Sequence, residues 1–261
     1  RGLELLWFQG HETGIMTGST WYVDNRWDDL HRDCVAYINN DTPSMVGTTV
    51  YAASGDPVLK EFLEATVKEL ADEEGAPFKS DARYTPVKTG DQSFYGLGIP
   101  SGQVKMTHPP EAGEVPLGGW CYHSDQDTID KVDPETLYMA NKAQILVLLR
   151  LCTLPVLPFR FTPLGNWMID ALKELNNRAE GTLNFRDLVE KTRRFINIAT
   201  ILDEALNRLR DRCKEPNQVT KLEKTIQLVD EGLLKICRTL NPVNYTLHGK
   251  YGQDHYGAEY I

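Results

Sequence analysis

The stretch Leu3-Glu4-Leu5-Leu6-Trp7-Phe8-Gln9-Gly10-His11-Glu12-Thr13-Gly14 decides the reading of this chain. Its first half is a continuous apolar run, the composition of a strand buried on both faces. Its second half opens a glycine-rich turn, Gly10–Gly18, that carries a histidine and a glutamate, and Ser19–Asn25 begins a helix. The pattern then recurs. Val35-Ala36-Tyr37-Ile38-Asn39 is a second β-favouring run that stops at Asn40-Asp41, and Thr48–Ala53 is a third. Asp56-Pro57 opens a helix, because Asp caps a helix start and Pro suits the first turn. In Pro57–Leu70 the residues Leu59, Phe62, Leu63, Val67 and Leu70 recur at helical spacing. Gly96–Lys105 holds a further extended run, Leu97-Gly98-Ile99-Pro100. Apolar strands alternating with a helix predict an α/β fold with a mostly parallel sheet and flanking helices.

Beyond Asp133-Pro134 the character changes. Glu135–Leu151 is helical and rich in Leu and Ala, and Pro155 and Pro158 end it. Pro163–Arg178, Phe185–Arg212 and Pro216–Leu240 read as three more helices. In the second of these, Leu188, Thr192, Phe195, Ile196, Ala199, Leu202, Leu206 and Leu209 form one stripe, the mark of a helix packed in a bundle. The chain is therefore expected to divide into an α/β part, 1–135, and a helical part, 136–261. His248–Ile261 shows no periodicity and reads as loop.

The bulk numbers fit that division. The 261 residues are 41% hydrophobic and 25% charged, which excludes disordered and collagenous classes, and the length suits one large domain or two small ones. A formal net charge of −9 argues against a general nucleic-acid binder. The longest apolar run, within Ile145–Leu157, is broken by Arg150 and Pro155, so no membrane span is expected. The five cysteines are odd in number and lack metal-ligand spacing, which argues against a disulfide framework. Cys152 and Cys237 read as small core residues. Arg1 leads almost at once into a core-like run, so the chain is expected to be processed or part of something larger.

In an open α/β sheet, functional groups gather just beyond the carboxyl ends of strands. That rule selects His11-Glu12 after the first strand and Asp41 after the second. A third candidate, Tyr122-His123-Ser124-Asp125-Gln126-Asp127-Thr128, precedes the helical part. Carboxylates with an imidazole make an N/O donor set for zinc or a similar divalent ion. Taken singly, each of these residues is the kind of polar group that solvated loops carry. The case rests on all three falling at expected strand ends.

These residues resemble a known family. The run Leu5–Thr20, with its Gly-Ile and Gly-Ser pairs, is similar to the strand, Glu-Glu pair and Gly-Ser turn of the co-catalytic zinc aminopeptidases and of their relatives glutamate carboxypeptidase II and the transferrin receptor. Val35–Asp41 matches the family strand that ends in a ligand Asp. Gly90-Asp91-Gln92-Ser93-Phe94-Tyr95-Gly96-Leu97-Gly98-Ile99-Pro100-Ser101 matches its Ser-Asp loop and Gly-Ile-Pro strand. Tyr122-His123 with Asp127-Thr128 matches its Tyr-His ligand motif. Leu157-Pro158-Phe159, after a long helix, resembles the helical dimerisation domain of the transferrin-receptor branch.

The resemblance implies Glu12, Asp41 and His123 as ligands of one or two divalent ions, zinc or manganese. It implies Tyr122 as a group that binds the carbonyl or the developing oxyanion, Asp91 and Gln92 as residues shaping the substrate site, and Asp125 or Asp127 as a hydrogen-bond partner of the far nitrogen of His123. The reaction implied is metal-assisted hydrolysis of a peptide or small amide. Two departures matter. His11 stands where the family has its general-base Glu. A neutral imidazole accepts a proton near pH 7, so His11 is either the base, a metal ligand, or the sign of a lost reaction. The other family ligands lie upstream of the strand that starts this chain. The expected partner is thus an N-terminal fragment or second subunit that completes both sheet and metal site, with homodimerisation through the helical part. A non-catalytic, receptor-like scaffold and an amidohydrolase acting on a non-peptide amide are the competing readings.

The remaining features have plainer expectations. Trp7, Trp21, Trp27 and Trp120 are expected to pack in the core or at its boundary. His108 is expected in a loop, and Asp72-Glu73-Glu74 at a solvated helix end. Arg193-Arg194 is expected to salt-bridge along a helix surface, with anion binding as the alternative.

Overall fold

The computed structural model describes residues 1–8, 16–80, 90–112, 120–122 and 124–244, and for residues 90–92 the backbone alone. Its strands are β1 (Tyr37–Asn39), β2 (Val50–Gly55), β3 (Phe78–Ser80) and β4 (Ser101–Thr107). Its helices are α1 (Thr17–Asn25), α2 (Trp27–Asp33), α3 (Lys60–Glu74), α4 (Gly90–Tyr95), α5 (Pro134–Thr153), α6 (Thr162–Arg178), α7 (Arg186–Arg212) and α8 (Pro216–Leu240).

The four strands form one sheet in the order β1-β4-β2-β3. β1 runs parallel to β4, with Asn39 opposite Gln103, and β2 runs parallel to β3. The central pair, β2 and β4, is antiparallel. The sheet is therefore mixed, where the sequence predicts it to be mostly parallel. Runs such as Val50–Ala53 are apolar because both sheet faces are covered, and that burial does not encode strand direction.

Two further expectations are corrected. Leu3–Phe8 forms no strand. Leu6 and Phe8 pack against a small cluster of Val23, Leu30, Phe94, Leu97 and Ile99. Leu3, Leu5 and Trp7 face solvent, Trp7 at 91% exposure. Among the described residues this segment has no backbone hydrogen-bond partner, and apolar composition cannot supply a ladder by itself. Leu97-Gly98-Ile99-Pro100 is a turn, not a strand. The amide of Gly98 donates to Tyr95 O at 2.8 Å, and Gly98 adopts φ +80°. The strand begins only at Ser101.

Helix α3 follows from its pattern. Leu63, Val67, Leu70 and Ala71 are buried on one side, and Gly75 at φ 66° ends the helix in the left-handed conformation. Asp56 caps the turn before it, accepting from the amides of Val58 and Leu59 at 2.9 and 3.0 Å. α5 starts the same way, with Asp133 accepting from Glu135 N at 3.0 Å and Pro134 in the first turn. α3 and α5 cover one sheet face, where Tyr51, Val104, Leu63 and Val147 join one large core. That core continues through Phe159, Phe161, Ala199, Leu206, Leu233 and Cys237 into the helical part. α6 and α7 pack closely enough that a Cβ on Gly165 would lie 2.5 Å from the Ile196 side chain.

The C-terminal end of α8 returns to the sheet. The buried Arg238 guanidinium donates to Gly98 O and His31 O, both at 2.8 Å, and also to Cys34 O. A Cβ on Gly98 would sit 2.5 Å from Arg238 Cα. All five thiols are free; Cys237 is buried, whereas Cys152 is half-exposed at the edge of the core. Of the tryptophans expected in the core or at its boundary, Trp27 packs against the smaller cluster, whereas Trp7, Trp21 and Trp120 are exposed. Glu74 is not merely solvated. It accepts from the Tyr51 hydroxyl and pairs with Lys142, tying α3 to β2 and α5.

Candidate functional site

The parallel pair β1 and β4 sets the place. Beyond the carboxyl end of β1 the chain enters Asn40-Asp41 and a loop reaching Thr49. The register of the pair ends with Asn39 opposite Gln103, two residues before Asp41. The loop is stitched to the segment that leads into α5. Val46 N donates to Lys131 O at 3.0 Å, Asp133 N donates to Ser44 O at 2.7 Å, and Met45 bridges Val132. Thr136 Oγ1 donates to Thr48 O at 3.1 Å from inside α5. The loop bearing Asp41 is thus tied to residues 131–136, the segment that follows Tyr122–Thr128 in sequence.

Local chemistry shapes that stretch. Ser124 Oγ donates to Cys121 O at 2.6 Å and accepts from Gln126 N at 3.2 Å, and Cys121 is buried. Asp41 and Tyr122 are half-buried, and each is engaged by a neighbouring group. Asp125 and Asp127 are exposed, and Asp125 accepts from the side chain of Gln126. The Lys131 ammonium and the Thr128 hydroxyl hold the Asp130 carboxyl down at about 2. The Thr136 hydroxyl and the Glu135 amide lower that of Asp133.

A second junction links the other two motifs. Ser93 in α4 shares hydrogen bonds with Ser19 at 3.0 Å and Thr20 at 3.2 Å in α1, and Ser19 and Ser93 are fully buried. Phe94 stacks on Tyr37 of β1, ring centroids 4.2 Å apart. The helix that follows His11-Glu12 in sequence is thereby fixed to the helix whose first turn contains Asp91 and Gln92. His11, Glu12 and His123 themselves lie outside the described residues. So do the side chains of Asp91 and Gln92, and the tail histidines His248 and His255.

Glu12, Asp41 and His123 amount to two carboxylates and an imidazole, a donor set suited to zinc or manganese. Among the described residues alone, no group of three or more His, Cys, Asp or Glu gathers to hold a metal ion.

The sequence gives no sign of the Ser19–Ser93 latch, which joins residues 74 positions apart. Lys105 was legible in principle. It is a charged residue in a central strand, it is 7% exposed, and it alternates with the core residues Val104 and Met106, so it faces the other side of the sheet. Asp56 is a buried acid of a different kind. Burial pushes its carboxyl up to about 7, against three backbone amides that donate to it and favour the charged form. It sits at the carboxyl end of the antiparallel β2, hence at the opposite edge from Asp41, where it also accepts from Ser101 N at 2.9 Å. Its role is to tie a turn to the sheet.

The model of peptidase family M28 matches residues 1–148, more than half of the chain. The chain belongs to peptidase family M28. Its members are metal-dependent peptidases, generally zinc-dependent, so this chain carries a metallopeptidase domain of the hydrolase class. No curated protein matches the chain. The matched segment takes in all four strands, α1 to α4 and most of α5, so both junctions fall within it, whereas α6 to α8 lie beyond it. No helix among the described residues is long and apolar enough to cross a membrane.

Proposed function

We propose that this M28 chain hydrolyses a peptide or small amide bond at the rim formed by the Asp41 loop and the Tyr122–Thr128 stretch, and that it belongs to the branch of glutamate carboxypeptidase II and the transferrin receptor. The observation that carries the reading is that the family match covers the Asp41 loop, the Tyr122–Thr128 stretch and the segment just after that stretch, which the Val46–Lys131 and Ser44–Asp133 bonds join to the Asp41 loop. Glu12, Asp41 and His123 hold the metal, zinc or manganese. When bound, the metal supplies Lewis-acid polarisation of the scissile carbonyl and acidifies water. His11 takes the proton of the attacking water and passes it to the departing amine. Tyr122 donates from its hydroxyl to the carbonyl oxygen as negative charge develops there. Asp91 and Gln92 shape the substrate end, and Asp125 or Asp127 orients His123 through its far nitrogen.

The exposed row Leu3, Leu5 and Trp7 supports a polypeptide partner, an N-terminal fragment or a second subunit, that completes the sheet next to the cluster holding Tyr37 and supplies the remaining ligands. Exposed Ile198 and Ile201 on α7 and Leu228 on α8 support homodimerisation through the helical part, 136–261. His123→Ala is expected to remove bound metal and activity together, read by metal analysis of the purified assembly and by hydrolysis of aminoacyl arylamides. Full metal content in that variant would sink the ligand assignment.

His11 supports a second reading, in which the fold is kept as a scaffold or turned to a non-peptide amide. His11→Glu separates them. A gain of aminopeptidase activity points to a native substrate other than a peptide, and a metal-free wild type that takes up neither zinc nor manganese points to the scaffold.

A further inference from the structure

The tip of the α6–α7 hairpin, outside the segment matched to the M28 family, holds a cleft of about 410 Å³. It is an open cleft rather than an enclosed cavity. Its floor is apolar, made by Leu172, Phe185 and Val189, all half-buried. Its rim is polar, with Asn176, Asn177 and Asn184 beside more cations than carboxylates. Arg186 and Arg193 line it, and among the described residues neither guanidinium makes an ion pair, contrary to the helix-surface pairing expected of Arg193. The third cation, Lys173, is taken by Asp170 at 2.8 Å. The only carboxylate lining the cleft is Glu190, which pairs with neither arginine despite standing four residues from one and three from the other. Two unneutralised guanidiniums above an apolar floor, on a chain of net charge −9, are a local reversal of sign.

The geometry points to a binding site for an anionic amphiphile: a carboxylate or phosphate head on the arginines, and a short acyl or aryl body on Leu172, Phe185 and Val189. Arginine forks match both head groups bidentately, and the floor contributes through burial of the apolar body. The site is independent of the hydrolytic reading, since no residue of the rim described above takes part.

The test is calorimetric titration of the whole chain with octanoate, octyl phosphate, inorganic phosphate and octyltrimethylammonium. Octanoate or octyl phosphate is expected to bind, with whichever head binds tighter identifying the natural one. Inorganic phosphate alone is expected to bind at least about tenfold more weakly, and the cation not at all. The double variant Arg186→Ala, Arg193→Ala alters exposed residues only and should fold unchanged by circular dichroism while losing at least about tenfold in affinity. Val189→Asp, which puts a like charge on the floor, is the second variant and is expected to abolish binding. The proposal is overturned if neither amphiphile binds up to its solubility limit, if the cationic amphiphile binds as well as the anionic ones, or if the double variant keeps wild-type affinity.

Discussion

Leu3–Phe8 and Leu154–Phe161 are two apolar segments of similar length that lie outside helix and sheet. In the first, Leu3, Leu5 and Trp7 are exposed. In the second, Val156, Leu157, Phe159 and Phe161 are all but inaccessible. Composition does not separate them; the treatment of their backbones does. Asp230 accepts from Leu157 N at 2.9 Å, and Asp203 accepts from Phe161 N at 3.0 Å and from Thr162 N at 2.9 Å. Arg210 donates to Leu157 O and Phe159 O, and Arg160 N donates to Val58 O at 3.0 Å. Charged side chains of α7 and α8 thus do for Leu154–Phe161 what a neighbouring strand does within a sheet. An irregular segment enters a core only when its polar groups are met there.

The contrast can be broken from the buried side first. Asp203→Ala leaves the buried Phe161 amide and the half-buried Thr162 amide without their acceptor and removes one of the two carboxylates paired with Arg160, and is expected to cost about 3–5 kcal/mol in urea denaturation. Asp203→Asn, which keeps one acceptor, should lose clearly less. An Asp203→Ala midpoint close to wild type would mean that apolar packing alone holds the segment.

Asp56 sharpens the same point through pH. Its folded carboxyl titrates near 7, above the ordinary 3.8. The folded chain therefore keeps this proton where the unfolded chain has lost it. The associated stability is complete below about pH 4 and is lost as pH rises through about 7, an upper bound of about 4 kcal/mol. Asp56→Asn should flatten that part of the profile. Glu74, Asp130 and Asp133, whose carboxyls are lowered by their partners, act in the opposite sense and lose their contribution as pH falls. Urea midpoints at several pH values for wild type and variant distinguish the two slopes.

The smallest effect is on the exposed side. Trp7→Ser should change stability by no more than about 0.5 kcal/mol. On the proposed sheet-completing role it should also weaken capture of the partner segment. A large loss of stability in the isolated chain would show that Leu3–Phe8 is part of its own core after all.

Local signals made much of this fold readable. α8 occupies the expected Pro216–Leu240, and α5 begins one residue before its expected start, because proline and Asp caps with a 3.6-residue stripe are properties of contiguous sequence. The strand that ends just before Asp41 was legible for the same reason. Leu3–Phe8, the Gly98 turn and the antiparallel centre of the sheet were not, since each depends on what lies across from it. The site divides likewise. Its residue types and their order along the chain were visible, whereas the Ser19–Ser93 latch and the Val46–Lys131 bond join distant positions and leave no mark on either segment alone.

The anchoring of α8 on the sheet has a consequence for synthesis. Gly98 O waits for a donor that lies 140 residues further along the chain. At ribosomal elongation rates that interval is on the order of ten seconds. During it, the carbonyls at the end of α2 and the crowded turn at Gly98 have no Arg238 to meet. The nascent peptidase part must therefore persist without this anchor until α8 is made.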